Sequence, residues 1–156
     1  MKKILMSLLL IFMTFSLFSQ DRERKTEKEI RNYYYDATND YFGHSYDSAI
    51  IKLEILDFLY EENSNVKFFL GMCYFFKSDF DKAIIYYELS LENVEYTHDY
   101  QNGKYTPHIV YFYLGFANEK IGDHKDAIWH YQKYIELEKN KEIIFNTEDR
   151  IEIIKL

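Results

Sequence analysis

The chain opens on an apolar run from Ile4 to Phe18, broken only by Ser7, Thr14 and Ser16 and preceded by Lys2 and Lys3. A short basic start followed by about 7–15 apolar residues is the pattern of a secretory signal peptide. As a helix the run would rise about 22 Å, short of a bilayer core of roughly 30 Å. Ser19 supplies a small residue at a cleavage point, so residues 1–19 read as a signal peptide and Gln20 as the first mature residue. An uncleaved N-terminal anchor is the alternative. No Cys follows the run, which excludes a lipid-modified N-terminal cysteine. Beyond it the apolar positions take a helical period. Ala49-Ile50, Ala83-Ile84 and Ala127-Ile128 each start such a segment. The first two alanines lie 34 residues apart and the last two 44, the same interval plus an insertion of ten. Twelve residues before each alanine stand Ala37, Gly71 and Gly115; four after stand Leu53, Tyr87 and Tyr131.

Small residues at fixed distances on two successive helices have a packing cause. Antiparallel helices approach closely only where one presents a hydrogen or a methyl group and the larger side chains around it interdigitate. Leu70-Gly71-Met72-Cys73-Tyr74 with Phe80-Asp81-Lys82-Ala83, and Leu114-Gly115-Phe116-Ala117 with Gly122-Asp123-His124-Lys125-Asp126-Ala127, carry the pattern most clearly. It resembles the tetratricopeptide repeat, a helix–turn–helix unit of about 34 residues. The resemblance implies an all-α solenoid of helical hairpins over residues 20–140. Its three repeats fall at about 30–63, 64–97 and 108–141, with an insertion at about 94–105 and a C-terminal capping helix over 142–156. Repeat one departs from the pattern: Asp36 replaces a leucine, Asp57 occupies an apolar slot, and His44 stands where a turn residue is expected, so its first helix is open to a one-residue shift. An end repeat tolerates such polarity because it buries only one face.

Boundary signals fit the same scheme. Thr26 and Glu29 have capping-box spacing, so the first helix is expected to start near residue 27. Asn63-Ser64 separates repeats one and two, and Ser78-Asp79 and Gly122-Asp123 mark turns within repeats. Thr106-Pro107 is expected to open the first helix of repeat three, with Thr as cap and Pro at the first helical position. The insertion, with Asn102-Gly103 as a turn signal, reads as a long loop, a small hairpin or an extension of the preceding helix. Ile144, Ile151 and Ile154 have helical spacing in the tail, which is expected to cover repeat three or to fold back into the groove.

Composition narrows the function. Thirty residues are aromatic (16 Tyr, 13 Phe, 1 Trp), 19% of the chain, against one Pro and five Gly. So many aromatics argue against disorder, and so few breakers favour long helices. One Cys excludes an internal disulfide framework or a Cys-rich zinc site, and Cys73 reads as a small buried hydrophobe. The formal net charge is −7; without Lys2 and Lys3, 17 basic side chains face 26 acidic ones, a balance of −9. That balance argues against electrostatic nucleic-acid binding. No Gly-rich phosphate loop, HExxH, GxSxG or CxxC is present. His98-Asp99 alone makes no metal site, His124 and His130 lie six apart and point to different helix faces, and Glu61-Glu62 reads as solvated charge. No enzyme activity, cofactor or metal is expected.

The resemblance also places a concave groove on the first helices of successive repeats. Fifteen residues before each alanine it puts Tyr34, Phe68 and Phe112; eleven before, Thr38, Met72 and Phe116; eight before, Tyr41, Phe75 and Glu119. The Lys and Asn clamp of members that hold a peptide C-terminal carboxylate is absent from these places. The expected function is a protein-interaction scaffold of the bacterial cell envelope, in the periplasm or secreted. It would bind a hydrophobic or aromatic peptide, or a partner's helix, and touch the membrane only through an uncleaved signal peptide. The alternative is a structural subunit of an envelope complex or homo-oligomer whose aromatic face is permanently buried. A weaker idea is a small-ligand or glycan site on the Tyr-rich insertion.

Overall fold

Where helices must pass closely, this chain uses its smallest residues, and the architecture follows from those contacts. The computed structural model describes residues 28–59, 63–95 and 105–155. Helix α1 covers residues 28–42 and α2 Tyr46–Leu59; α3 spans Ser64–Phe76 and α4 Phe80–Ser90; α5 spans Val110–Ile121 and α6 His124–Leu137; α7, Lys141–Ile154, stands last. Each of the first three pairs is a hairpin. Helix α3 packs on both α2 and α4, α5 on both α4 and α6, and α7 on α6. This is the nearest-neighbour packing of a solenoid of three repeats plus a terminal helix. The reading of residues 1–27 and of Glu61-Glu62 lies outside the described residues.

Ala37, Ala49, Ala83 and Ala127 are all fully buried. A Cβ added at Gly71 would lie 2.4 Å from the Tyr87 ring, and one at Gly115 2.7 Å from the Tyr131 ring. Both are far inside the optimal carbon–carbon separation of about 3.5–4.0 Å. Each tyrosine ring is therefore seated on bare glycine backbone, and both rings are fully buried. In the first hairpin the same positions hold Ala37 and Leu53, so a methyl group on one helix accompanies a smaller side chain on the other.

The three turns within hairpins share one backbone conformation. His44, Ser78 and Gly122, each five residues before its alanine, have φ of 60°, 62° and 84°. Only glycine takes that left-handed region freely, so the first two turns hold it by context. Asp79 and Asp123 then cap α4 and α6 by accepting the N–H groups of Lys82 (3.3 Å) and Asp126 (3.1 Å). Asn63 caps α3 in the same way through the N–H groups of Asn65 and Val66. The first helix keeps its phase: Ala37 is buried while Asp36 is exposed. Leucines 70 and 114, in the Asp36 column, are fully buried, since each has a preceding hairpin to pack on. Asp57 answers its apolar slot with an ion pair to Lys67 at 3.1 Å.

Thr106-Pro107 does not start a helix. Helix α5 begins at Val110 without a side-chain cap, and Thr106-Pro107 is a short strand, β2, paired in parallel with Val94–Glu95, β1. The Thr106 hydroxyl lies 2.6 Å from the Ser90 carbonyl and 3.1 Å from the Ser64 carbonyl, fully buried. It satisfies chain ends at α3 and α4 instead of capping α5. The insertion is not a continuation of α4, which stops at Ser90 before a 3-10 turn over Leu91–Asn93. Residues 96–104, including His98 and Asp99, lie outside the described residues.

Helix α7 docks through Ile151, which is buried, with Ile144 and Ile154 half-buried. The turn before it is organised by Glu138, whose side chain is 1% exposed. Burial opposes its ionisation, but hydrogen bonds donated by His108 Nε2 (3.0 Å), the Asn140 and Lys139 N–H groups (2.8 Å each) and the Tyr134 hydroxyl (3.1 Å) outweigh it and hold the carboxyl at about 2. A carboxyl held below its unfolded value stabilises the fold fully above that value, and the gain is lost as pH falls through the folded one. Glu138→Gln should therefore cost about 1–3 kcal/mol at neutral pH by chemical denaturation. The gap from the parent chain should close as pH falls from about 4.5 towards about 2. A gap constant across that window contradicts the assignment.

Candidate partner-binding groove

The first helices of the hairpins, α1, α3 and α5, carry the nine expected groove residues, and the structure distributes them unequally. Thr38 is 1% exposed and its hydroxyl turns back on the carbonyls of Tyr34 and Tyr35 at 3.1 Å. Phe68 (2% exposed) and Met72 (6%) belong to the packed core, and Met72 Sδ accepts the Tyr87 hydroxyl at 3.2 Å. Tyr34 is half-buried, and its hydroxyl accepts Asn65 Nδ2 at 2.8 Å. Phe75 sits in a ring cluster with Phe80, Tyr113 and Phe116 at centroid distances of 5.6, 5.2 and 5.3 Å. Phe112 packs on Tyr131 and Tyr134 at 5.5 Å each. The concave aromatics thus interlock across hairpins, and most of their area is turned inward. Thr38, Phe68 and Met72 offer almost no free surface of their own: the Thr38 hydroxyl is held by its own helix, and Phe68 and Met72 contribute to the site only as walls packed against Phe69 and Tyr87.

At the third hairpin the expected groove positions are occupied from within the chain. Arg150 of α7 donates from Nε to Glu119 Oε2 (2.6 Å) and from Nη2 to Oε1 (2.8 Å), a two-point clasp. Its guanidinium lies 4.5 Å from the centre of the Phe116 ring, and Tyr131 donates its hydroxyl to the same carboxylate at 3.0 Å. Glu119 and Phe116 are thereby the seat of the terminal helix. Helix α7 covers the end of hairpin three and reaches this part of the groove as well.

Among the described residues, open space lies between the first two hairpins and the start of α5. A cavity of about 190 Å³ is lined by Tyr41, Phe42, Phe68, Phe69, Met72, Ile109 and Tyr113. No charged side chain lines it. Apolar cavities of about 150 Å³ take up a benzene ring, so the space suits one ring or one branched aliphatic side chain. Phe42, 48% exposed, stands at its rim, and Tyr41, 9% exposed, in its wall. Tyr41, Phe68 and Met72 are the expected residues that meet here. Phe42, Phe69, Ile109 and Tyr113 stand outside the sequence columns. Phe69 and Tyr113 fall fourteen residues before their alanines and Phe42 seven before, one step round the helix from the columns counted. Ile109 precedes α5 and carries no repeat signal.

Other chemistry is quiet. Cys73 is fully buried, and burial pushes its thiol up to about 12, so it packs as a hydrophobe. His124 is exposed at the start of α6 while His130 is 7% exposed beside Tyr111 and Trp129, where burial lowers its pKa. Among the described residues no helix is long and apolar enough to cross a membrane.

Residues 64–93, which span α3 and α4, match the tetratricopeptide repeat family. The fold is a tetratricopeptide-repeat array. Solved structures carry the likeness over the remaining hairpins. The Yersinia enterocolitica type III secretion translocator chaperone SycD is 22% identical, with 80% of this chain and 81% of that chain covered and a TM-score of 0.64. PcrH, solved in complex with the chaperone binding region of PopD, is 15% identical over 83% of this chain and 92% of that chain, with a TM-score of 0.66. The first tetratricopeptide domain of Spaghetti (RPAP3), bound to an HSP90 peptide, is 18% identical over 82% and 91%, with a TM-score of 0.65. At these identities the likeness is one of fold. No curated protein matches the sequence.

The burial pattern separates stability from binding within the array. Phe68→Ala should lower stability by about 3–5 kcal/mol, as for a buried ring. Phe42→Ala should cost under about 1 kcal/mol, because its ring is half in solvent. Urea unfolding of the two variants checks this, and equal losses would contradict the placement of the cavity.

Proposed function

We propose that the chain is a non-enzymatic protein-interaction scaffold of the bacterial cell envelope, and that its concave side seats a hydrophobic or aromatic segment of a partner protein. The observation that carries this reading is the uncharged cavity between α1, α3 and α5, open past Phe42. An apolar anchor side chain entering it would displace water from ring faces on several sides, the setting in which a single residue dominates an interface. The PcrH and Spaghetti structures each hold a segment of another protein, PopD and HSP90 respectively, which supports a polypeptide as the occupant. Export rests on Lys2, Lys3 and the apolar run Ile4 to Phe18. The Arg150–Glu119 clasp on Phe116 confines the open groove to the first two hairpins and the start of the third.

Selection of displayed random peptides on the mature chain tests the groove. Enriched peptides should share one large aliphatic or aromatic residue. Phe42→Lys should weaken the best of them at least tenfold, about 1.4 kcal/mol, with the chain still fully folded at the assay temperature. Peptides with no apolar anchor, or an affinity indifferent to Phe42→Lys, would overturn the groove assignment. Export has its own test: the intact mass of the chain recovered from the envelope should correspond to a start at Gln20.

A further inference from the structure

Among the described residues a broad apolar exposure lies away from the expected groove positions, on the second helices α2 and α4. Ile51 (61% exposed), Ile55 (45%), Phe58 (81%) and Leu59 (57%) form one stripe on α2, at spacings that put them on one face. Ile85 (54%) and Leu89 (51%) repeat the first two positions on α4, each 34 residues on. Between the helices Tyr74 and Tyr86 stack at 5.4 Å, and Tyr74 donates its hydroxyl to Glu54 of α2 at 3.3 Å. The six aliphatic and aromatic side chains leave several hundred Å² bare, on the order of the ~800 Å² that each partner gives to a standard interface. The third hairpin treats the same column differently: Trp129 stands there, with Lys133 over its ring at 5.9 Å.

Charge identifies the occupant. Each of the four lysines of α2 to α4 ends on an aspartate: Lys52 on Asp40, Lys67 on Asp57, Lys77 on Asp47 and Lys82 on Asp79. Glu54 and Glu88 are exposed beside the stripe on α2 and α4, Glu92 follows on the 3-10 turn, and among the described residues none of the three has an ion pair. An apolar stripe flanked by unneutralised carboxylates is complementary to an amphipathic helix with lysines or arginines beside its apolar face. A second copy of this chain would bring the same carboxylates against each other. We propose that the outer face of α2 and α4 is a second docking surface, separate from the groove, for a basic amphipathic helix of a partner protein.

The probe is a synthetic helix of about 18 residues with leucines on one face and lysines flanking them, titrated onto the full mature chain by fluorescence anisotropy. Binding should weaken at least tenfold in the Ile51→Ser/Ile85→Ser double variant. It should lose most of its salt dependence in Glu54→Gln/Glu88→Gln, and be absent for a peptide with glutamates in place of the lysines. Both variants should melt as the parent does and keep the affinity of groove-selected peptides, which separates this surface from the groove. An affinity unchanged by Ile51→Ser/Ile85→Ser, or equal binding of the glutamate peptide, would overturn the proposal. So would a dimer in sedimentation equilibrium that the same double variant converts to monomer, since a second copy would then be the occupant.

Discussion

Two tyrosine rings seated on two glycines set the spacing on which the rest of this array depends. Tyr87 and Tyr131 fill the space that a side chain on Gly71 or Gly115 would need, at would-be distances of 2.4 and 2.7 Å. Because a helix interior penalises glycine by about 1 kcal/mol relative to alanine, those glycines carry a local cost that only the close approach offsets. Once that approach is made, the alanine of each second helix is enclosed, the hairpin angle is set, and the next hairpin docks on a surface already formed. The Tyr87 hydroxyl reaches Met72 and the Tyr131 hydroxyl reaches Glu119, so each ring also links the seam between helices to the concave side.

That linkage explains the distribution of aromatic residues. Most of these rings are engaged by rings of neighbouring helices, and among the described residues a cavity at Tyr41, Phe42 and Tyr113 stays open. The terminal helix takes the third hairpin's share through Arg150. Exposed apolar residues gather instead on the outer faces of α2 and α4. With the lysines of α2 to α4 paired to aspartates and Glu54 and Glu88 left beside the apolar stripes, the described residues present two faces of different character. One is uncharged and enclosed; the other is open and edged with negative charge.

The repeat phase was legible because alanine and glycine are rare in this chain, and Ala37, Gly71, Gly115, Ala49, Ala83 and Ala127 stand buried at fixed distances where helices meet. The turns were legible through their caps, since Asp79, Asp123 and Asn63 accept the N–H groups that helix starts leave unpaired. Thr106-Pro107 misled because a Thr-Pro pair suits a helix start and a strand edge alike, and its hydroxyl serves carbonyls of Ser64 and Ser90 that are distant in sequence. The groove columns name residues of α1, α3 and α5 but do not say which of their side chains are accessible. Exposure of Phe68 against Phe42 is decided by how rings from three hairpins interlock, a property of packing that no single column carries. The Arg150 clasp was illegible for the same reason: Glu119 lies 31 residues away on another helix.

The ring-on-glycine contact is the claim most open to direct measurement, through a double-mutant cycle on Gly71→Ala and Tyr87→Leu. Together these recreate the alanine and leucine that the first hairpin uses at the same positions. Gly71→Ala alone should destabilise by about 1–3 kcal/mol through overpacking, against its favourable helix propensity. The double variant should be more stable than the sum of the singles by at least about 1 kcal/mol. Additivity within about 0.5 kcal/mol, or a stabilising Gly71→Ala, would contradict the account.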